Sequence, residues 1–272
     1  MDTQELAQRA KELRFETIRM IHEAKDGHPG PALSIADIIS VLYYSEMRID
    51  PANPQWEDRD RLILSKGHAC PILYAVLSKK GYFGKPLEHF DLRGLGSIFQ
   101  GHPVMNKTPG VDMTSGSLGN GIALGAGMAA AGRHLGKDYR VFVIVGDGEM
   151  QEGITWEGVN FAAARGLDNL VVFVDKNNWQ SGGSLCDIIG SNNMAERFAA
   201  FQWNVQEIDG HDFIQIQAAL KNARAAHGKP SVIVCDTVKG KGCDFMENDN
   251  AWHKGVPSDE QFRHVCCAMG KE

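Results

Sequence analysis

Residues 140–178 read RVFVIVGDGEMQEGITWEGVNFAAARGLDNLVVFVDKNN. The run 140–145 is apolar and largely β-branched after its arginine, and so is the run 170–174. Strands that are hydrophobic without alternation are buried on both faces, the pattern of a parallel sheet sandwiched between helices. Between them, residues 152–165 carry apolar side chains at helical spacing. A strand–helix–strand unit of this length is a parallel crossover, so the expected fold class is α/β, a parallel sheet with helices on both faces.

The same reading extends outward. Residues 231–235 (SVIVC) form a third buried run and 61–64 (RLIL) a weaker fourth, with a helical pattern at 211–226. Near the start, Leu6, Ala10, Leu13, Thr17 and Ile21 share one face of a helix over residues 4–24. Asp26-Gly27-His28-Pro29-Gly30 breaks that helix, and a second apolar one follows from about residue 32 to 47. No repeat or low-complexity linker interrupts the chain, which is read as a single domain over residues 1–272.

Composition narrows the function. With 28 basic and 34 acidic residues the net charge is −6, so nothing favours nucleic acid or an anionic membrane as a partner, and any phosphate binding is local. No apolar run approaches the roughly 20 residues of a membrane span, and the charged, helical start is not signal-like, so a cytoplasmic location is expected. The six cysteines have no CxxC spacing, which argues against a zinc site or a disulfide framework. Thirty glycines exceed the usual share of roughly 7% and imply tight loops or close backbone approach to a ligand.

Chemistry concentrates where the strands end. RLIL runs into Ser65-Lys66-Gly67-His68, RVFVIV into Gly146-Asp147-Gly148, and LVVFV into Asp175-Lys176-Asn177-Asn178. Each lies at a carboxyl end, the edge where open α/β sheets bind ligands. Gly146-Asp147-Gly148-Glu149 is expected to open a helix whose N-terminus suits a diphosphate, and Asp147 with the Asn177 amide oxygen suits a hard cation such as Mg²⁺. His28, His68, His102 and His253 sit in loops marked by Gly or Pro, where catalytic residues concentrate. His22, His89, His134, His211, His227 and His264 read as ordinary surface or core histidines. Glu152 reads equally well as a first-turn glutamate favoured by the helix dipole. Lys239 and Lys241 fit a phosphate contact and a solvated basic turn nearly equally.

Gly27-His28-Pro29-Gly30, Leu64-Ser65-Lys66-Gly67-His68, Gly101-His102-Pro103, Ser115-Gly116-Ser117-Leu118-Gly119, the pair Asp147 and Asn177, and Ala251-Trp252-His253 occur in this order over more than 220 positions. In them the chain resembles the N-terminal part of transketolase, or the separate N-terminal subunit of a transketolase split into two chains. The resemblance implies the thiamine diphosphate-binding fold and a transferase of the transketolase type in carbohydrate metabolism, such as the pentose phosphate route. A two-carbon ketol unit passes from a ketose (phosphate) to an aldose (phosphate), and the cofactor carries the carbon–carbon chemistry.

It further implies that Mg²⁺, replaceable by Ca²⁺ or Mn²⁺, is held by Asp147, Asn177 and the main-chain carbonyl of Trp179. His68, His253 and the Gly148 N–H, in the turn that starts at Gly146, meet the diphosphate, while Gly116 and Leu118 pack along the cofactor. His28 and His253 face the sugar hydroxyl whose proton moves, and His102 binds the hydroxyl on the donor's first carbon. Glu152 matches a glutamate that reaches the subunit interface. Ser181 departs from the pattern, standing where many transketolases place an apolar residue against the thiazolium.

The glutamate that engages the cofactor's pyrimidine belongs to a region after this one, so a C-terminal transketolase subunit is expected as partner, two copies of each chain forming a heterotetramer. The small-residue stretch 116–136 suits that interface, and a buried core helix equally. Alternatives are a split transketolase for a specialised ketose phosphate or sulfo-sugar, a 1-deoxyxylulose 5-phosphate synthase-like enzyme, a 2-oxo acid dehydrogenase α chain, and a non-catalytic cofactor-binding subunit.

Overall fold

Along each central strand, alternate side chains enter one of two separate cores. Phe142, Ile144, Val171, Phe173, Ile233 and Cys235 belong to the first. Val141, Val143, Val145, Leu170, Val172, Val174, Val232 and Val234 belong to the second. That period-two division is the pleat of a strand buried on both sides, and it explains why the sequence shows no polar alternation. Phe142 and Phe173 are wholly buried, each contributing roughly 1.5–3 kcal/mol from removal of its ring from water.

The computed structural model describes residues 1–190 and 193–270; the last two positions of the expected 1–272 domain lie outside the described residues. Strands in chain order are β1 (Arg61–Leu64), β2 (Val141–Gly146), β3 (Leu170–Lys176), β4 (Trp179–Gln180), β5 (Gly183–Ser184), β6 (Asn204–Asp209) and β7 (Ser231–Asp236). Five form one sheet in the order β1-β2-β3-β7-β6, parallel throughout. β4 and β5 make a small antiparallel hairpin.

The helices are α1 (Thr3–Ala24), α2 (Pro29–Leu33), α3 (Ala36–Val41), α4 (Cys70–Lys80), α5 (Asn120–His134), α6 (Gly153–Ala164), α7 (Leu185–Ile189), α8 (Met194–Ala200), α9 (Phe213–Ala225) and α10 (Asp259–Met269). Helices α1, α3, α4 and α9 supply the first core and α5, α6 and α8 the second, so both faces of the sheet are covered.

Three local expectations are corrected. The apolar segment after the first breaker begins at Pro29, where proline's missing N–H costs a helix nothing; it is interrupted at Ser34-Ile35 and ends in a wide turn over Leu42–Glu46. The Gly146-Asp147-Gly148 segment does not open a long helix directly. A short 3₁₀ turn, Gly148–Gln151, intervenes, and α6 starts at Gly153. Finally, β6 was not foreseen: an edge strand in which Gln206, Glu207 and Asp209 are not buried carries no apolar run.

The glycines of 116–136 serve mainly this chain's own packing. A Cβ on Gly125 would meet Val143 at 2.5 Å, and one on Gly132 would meet Tyr139 at 2.6 Å. The buried-core-helix alternative therefore accounts for Gly125 and Gly132, whereas Gly127 and Gly136 face open space and Leu118 and Leu135 remain on the surface, 37% and 67% exposed.

Candidate active site

The carboxyl ends of β1, β2, β3 and β7 open onto one cleft of about 440 Å³. Its lining contains every residue to which the resemblance gives a role in the site: His28, His68, His102, His253, Gly116, Leu118, Gly146, Asp147, Gly148, Glu152, Asn177 and Trp179; Lys241 lies outside it, 3.6 Å from Glu247. Ser181 lines it as well, together with Lys66, Glu149, Gln151, Gln180 and Lys239. Parallel register explains the convergence, because Gly146 pairs with Asp175 across β2 and β3. The loops beyond them therefore leave the sheet side by side.

Asp147 is 2% exposed. One carboxylate oxygen accepts from the Gly148 N–H at 2.9 Å and the other from the Asn178 N–H at 2.6 Å. Burial, reinforced by the nearby Asp175 charge, pushes its carboxyl up to about 7. Among the described residues no cation lies within salt-bridge distance of it. Asn178 holds φ at 65°, a left-handed conformation asparagine tolerates better than most. Asn177 is oriented by its neighbours: its Nδ2 donates to Asp175 at 2.7 Å and its Oδ1 accepts from the Trp179 N–H at 3.0 Å.

Asp175 is fully buried and anchors this end of the cleft. It accepts from Lys66 Nζ at 2.5 Å, Ser34 Oγ at 2.8 Å and Thr237 Oγ1 at 2.5 Å, besides Asn177. Lys66 is thereby neutralised within the protein. Lys239 is not: it is 1% exposed, and among the described residues its Nζ contacts only neutral groups, donating to Asn250 Oδ1 at 2.8 Å and His253 Nδ1 at 3.0 Å. Burial and the Lys66 charge push Lys239 down to about 8, so it remains mainly charged at neutral pH.

The rings of His28, His68 and His253 have centroids 5.2–5.7 Å apart. Burial first, then neighbouring cations, pushes them down: His28 to about 4 beside Arg93, His68 to about 2 beside Lys66, and His253 to about 4 beside Lys239. All three are neutral near pH 7. An ammonium group only donates, so His253 accepts at Nδ1 and carries its proton on Nε2. His28 Nδ1 lies 3.5 Å from Arg93 Nη2, too long to fix its tautomer firmly. His102, also lowered by burial, packs against Gly116, whose φ of 143° strains any side chain there and where an added Cβ would sit a tight 3.1 Å from the imidazole.

The histidines read as ordinary are so. His22 stacks on Phe262 at 4.3 Å, His211 joins Asp37 at 2.7 Å within a buried pair with Arg14, and His89, His134, His227 and His264 are exposed. Sequence reasoning gave no role to Glu149, a buried cleft carboxylate, and left Lys239 balanced against a solvated turn. The signal for Lys239 was Val-Lys-Gly-Lys-Gly following a strand, and it did not separate the two readings.

The sequence matches the family described as "Transketolase, thiamine diphosphate binding domain" over residues 6–271. The chain belongs to this transketolase family. It is 41% identical over 269 residues to the 6-deoxy-6-sulfo-D-fructose transketolase subunit SqwG of Clostridium sp. (strain MSTE9), covering 98% of this chain and 97% of the relative. It is 34% identical to an apulose-4-phosphate transketolase subunit of Phocaeicola vulgatus, with 97% and 94% coverage. Among solved structures, the transketolase of Campylobacter jejuni superposes with a TM-score of 0.92 at 33% identity, covering 99% of this chain and 43% of that one. The chain thus has the length of the transketolase subunits it matches and spans under half of that solved transketolase. The α/β expectation and the transketolase resemblance both hold.

Proposed function

We propose that this chain is the cofactor-binding subunit of a two-chain transketolase, transferring a two-carbon ketol unit from a ketose to an aldose and active only with its partner. The family match carries the reaction class, and the observation that carries the cofactor part of this reading is a charge pattern in the cleft: among the described residues, a buried carboxylate, Asp147, has no cation and a buried ammonium, Lys239, has no carboxylate. Unpaired buried charges are costly. A metal–diphosphate group relieves both at once, the metal at Asp147 and the phosphate oxygens at Lys239.

Among the described residues no group of three or more His, Cys, Asp or Glu is placed to hold a metal. The donors here are instead one carboxylate, the Asn177 Oδ1 and the Trp179 carbonyl, an oxygen set suited to Mg²⁺ that takes its remaining ligands from phosphate and water; Ca²⁺ or Mn²⁺ are substitutes. His68, the Gly148 N–H and Lys239 would hold the diphosphate, and Gly116 with Leu118 would line the cofactor between its rings. When bound, thiamine diphosphate supplies the nucleophilic carbon and the electron sink for carbon–carbon cleavage.

His28 and His253 are then placed at the sugar hydroxyl whose proton moves. His253, pinned by Lys239, donates through Nε2 and orients that hydroxyl; His28, less constrained, is the better proton carrier. His102 holds the hydroxyl on the donor's first carbon, and Glu152 lies toward the partner. That partner, a C-terminal transketolase subunit, would supply the glutamate for the pyrimidine, with two copies of each chain in the assembly. No helix among the described residues is long and apolar enough to cross a membrane, and we place the enzyme in the cytoplasm, in carbohydrate metabolism.

For the donor, the two relatives bring two specialised classes forward beside the common ketose phosphates: a 6-deoxy-6-sulfo-ketose and a phosphate of an unusual sugar. Ser181 is exposed and polar on the cleft wall, where it would change the contact with the thiazolium and not the choice of donor. The test is to supply the assembled two-chain protein, thiamine diphosphate, Mg²⁺ and an aldose acceptor with xylulose 5-phosphate or 6-deoxy-6-sulfo-fructose. The expected outcome is an aldose two carbons shorter than the donor, lost in Asp147→Ala. No aldose from either ketose, with carbon dioxide released when a 2-oxo acid is supplied in their place, would overturn the reading.

A further inference from the structure

We propose, building on the cofactor reading above, that Glu149 is a positioning residue whose single carboxylate joins the three loops at the diphosphate end of the cleft. Glu149 is 4% exposed and lies in the 3₁₀ turn after β2. Its Oε1 accepts from the Ser65 hydroxyl and from the Gly119 N–H at 2.9 Å, and its Oε2 accepts from the Gly146 N–H at 3.0 Å. Ser65 Oγ in turn accepts from the Gly121 N–H at 3.1 Å.

The sequence positions of these partners give the contact its meaning. Ser65 begins the segment that carries Lys66 and His68, Gly119 directly follows Leu118, and Gly146 directly precedes Asp147. One side chain therefore sets the spacing of the segments assigned to phosphate, ring and metal. Contact among them is close: a Cβ on Gly121 would lie 2.3 Å from Ser65 Cβ, and Gly119 has a φ of 83°. Among the described residues no cation lies within salt-bridge distance of Glu149, so its oxygens are committed to the loops. An amide at this position keeps the shape but turns an NH₂ donor toward an N–H or O–H donor, forcing one loop away.

The experiment titrates thiamine diphosphate with Mg²⁺ into the full chain, alone and with its partner, by calorimetry at 20 °C, after far-UV circular dichroism has confirmed folding. Glu149→Gln is compared with Asp60→Asn. Asp60 is an equally buried carboxylate holding the Arg48 and Arg140 N–H groups at 2.9 and 2.8 Å, at the opposite end of β1 and β2 from the cleft. Both variants should melt earlier, but only Glu149→Gln should weaken cofactor binding, by at least tenfold, and speed amide exchange at Gly119 and Gly146. Ser65→Ala, which removes one link, should weaken binding less and serves if Glu149→Gln does not fold. Wild-type affinity in a folded Glu149→Gln, or in Ser65→Ala where that variant stands in, would overturn the proposal. Absence of binding by the wild-type assembly would overturn the cofactor reading itself.

Discussion

Three imidazoles packed within 5.7 Å of one another are sustainable because burial keeps each of them neutral. The consequence is a pH dependence of stability. In the unfolded chain these rings take protons near pH 6.5, whereas folded His28 and His253 take them only near pH 4. At these two rings the unfolded state therefore binds more protons between these values, and their contribution to stability falls as pH drops from about 6.5 toward 4, while Asp147, pushed up to about 7, contributes in the opposite direction. The carboxylates contribute alike to both proteins, so relative to a His28→Asn, His253→Asn double variant the cofactor-free wild type should lose melting temperature as pH drops through this window; a difference that does not change with pH would contradict the neutral-ring assignment.

Lys239 gives a second residue-scale prediction. A buried ammonium without a carboxylate destabilises the empty protein, so Lys239→Met should raise its melting temperature by a few degrees while weakening thiamine diphosphate binding at least tenfold. Loss of both stability and affinity would mean the lysine is structural. The histidines and Asp147 were legible in the sequence because Gly and Pro mark their loops and a buried strand precedes the aspartate. Lys239 was not, since a basic turn looks the same whether solvated or folded inward. Here the hydrogen bond from the Gly240 N–H to the Gly30 carbonyl, at 3.1 Å, draws the turn over the cleft.

At the scale of elements, α5 and α6 meet through glycine: a Cβ on Gly158 would lie 2.7 Å from the Ala123 nitrogen. Gly158→Val should cost about 1–3 kcal/mol through overpacking, read as a fall in denaturant midpoint at constant slope. Helix α10 is held by a capping box at Ser258 and Gln261 and by Phe262 stacked on His22. Ser258→Ala should cost about 1 kcal/mol, and amide exchange should rise first in α10. The central strands were readable to within a residue or two because burial on both faces leaves an uninterrupted apolar run. β6 was not, because an edge strand satisfies its backbone through a single neighbour, β7, and needs no such run. The 3₁₀ turn before α6 was equally hidden; it depends on the bonds that Asp147 and Glu149 make to backbone N–H groups, and spacing does not reveal them.

For the whole molecule, the carboxyl edge of one parallel sheet gathers residues as far apart in sequence as His28 and His253, which is why motif order identified the family before any geometry did. The cleft gathers the groups proposed above to hold a diphosphate, a metal and a sugar hydroxyl. The central claim is that these groups act only when a second chain completes the site. Its most direct test is to assay ketol transfer with this chain alone, the partner alone and the two mixed, in thiamine diphosphate and Mg²⁺. Transfer in the mixture only, abolished by Asp147→Ala, is the predicted result; transfer by this chain alone would contradict it.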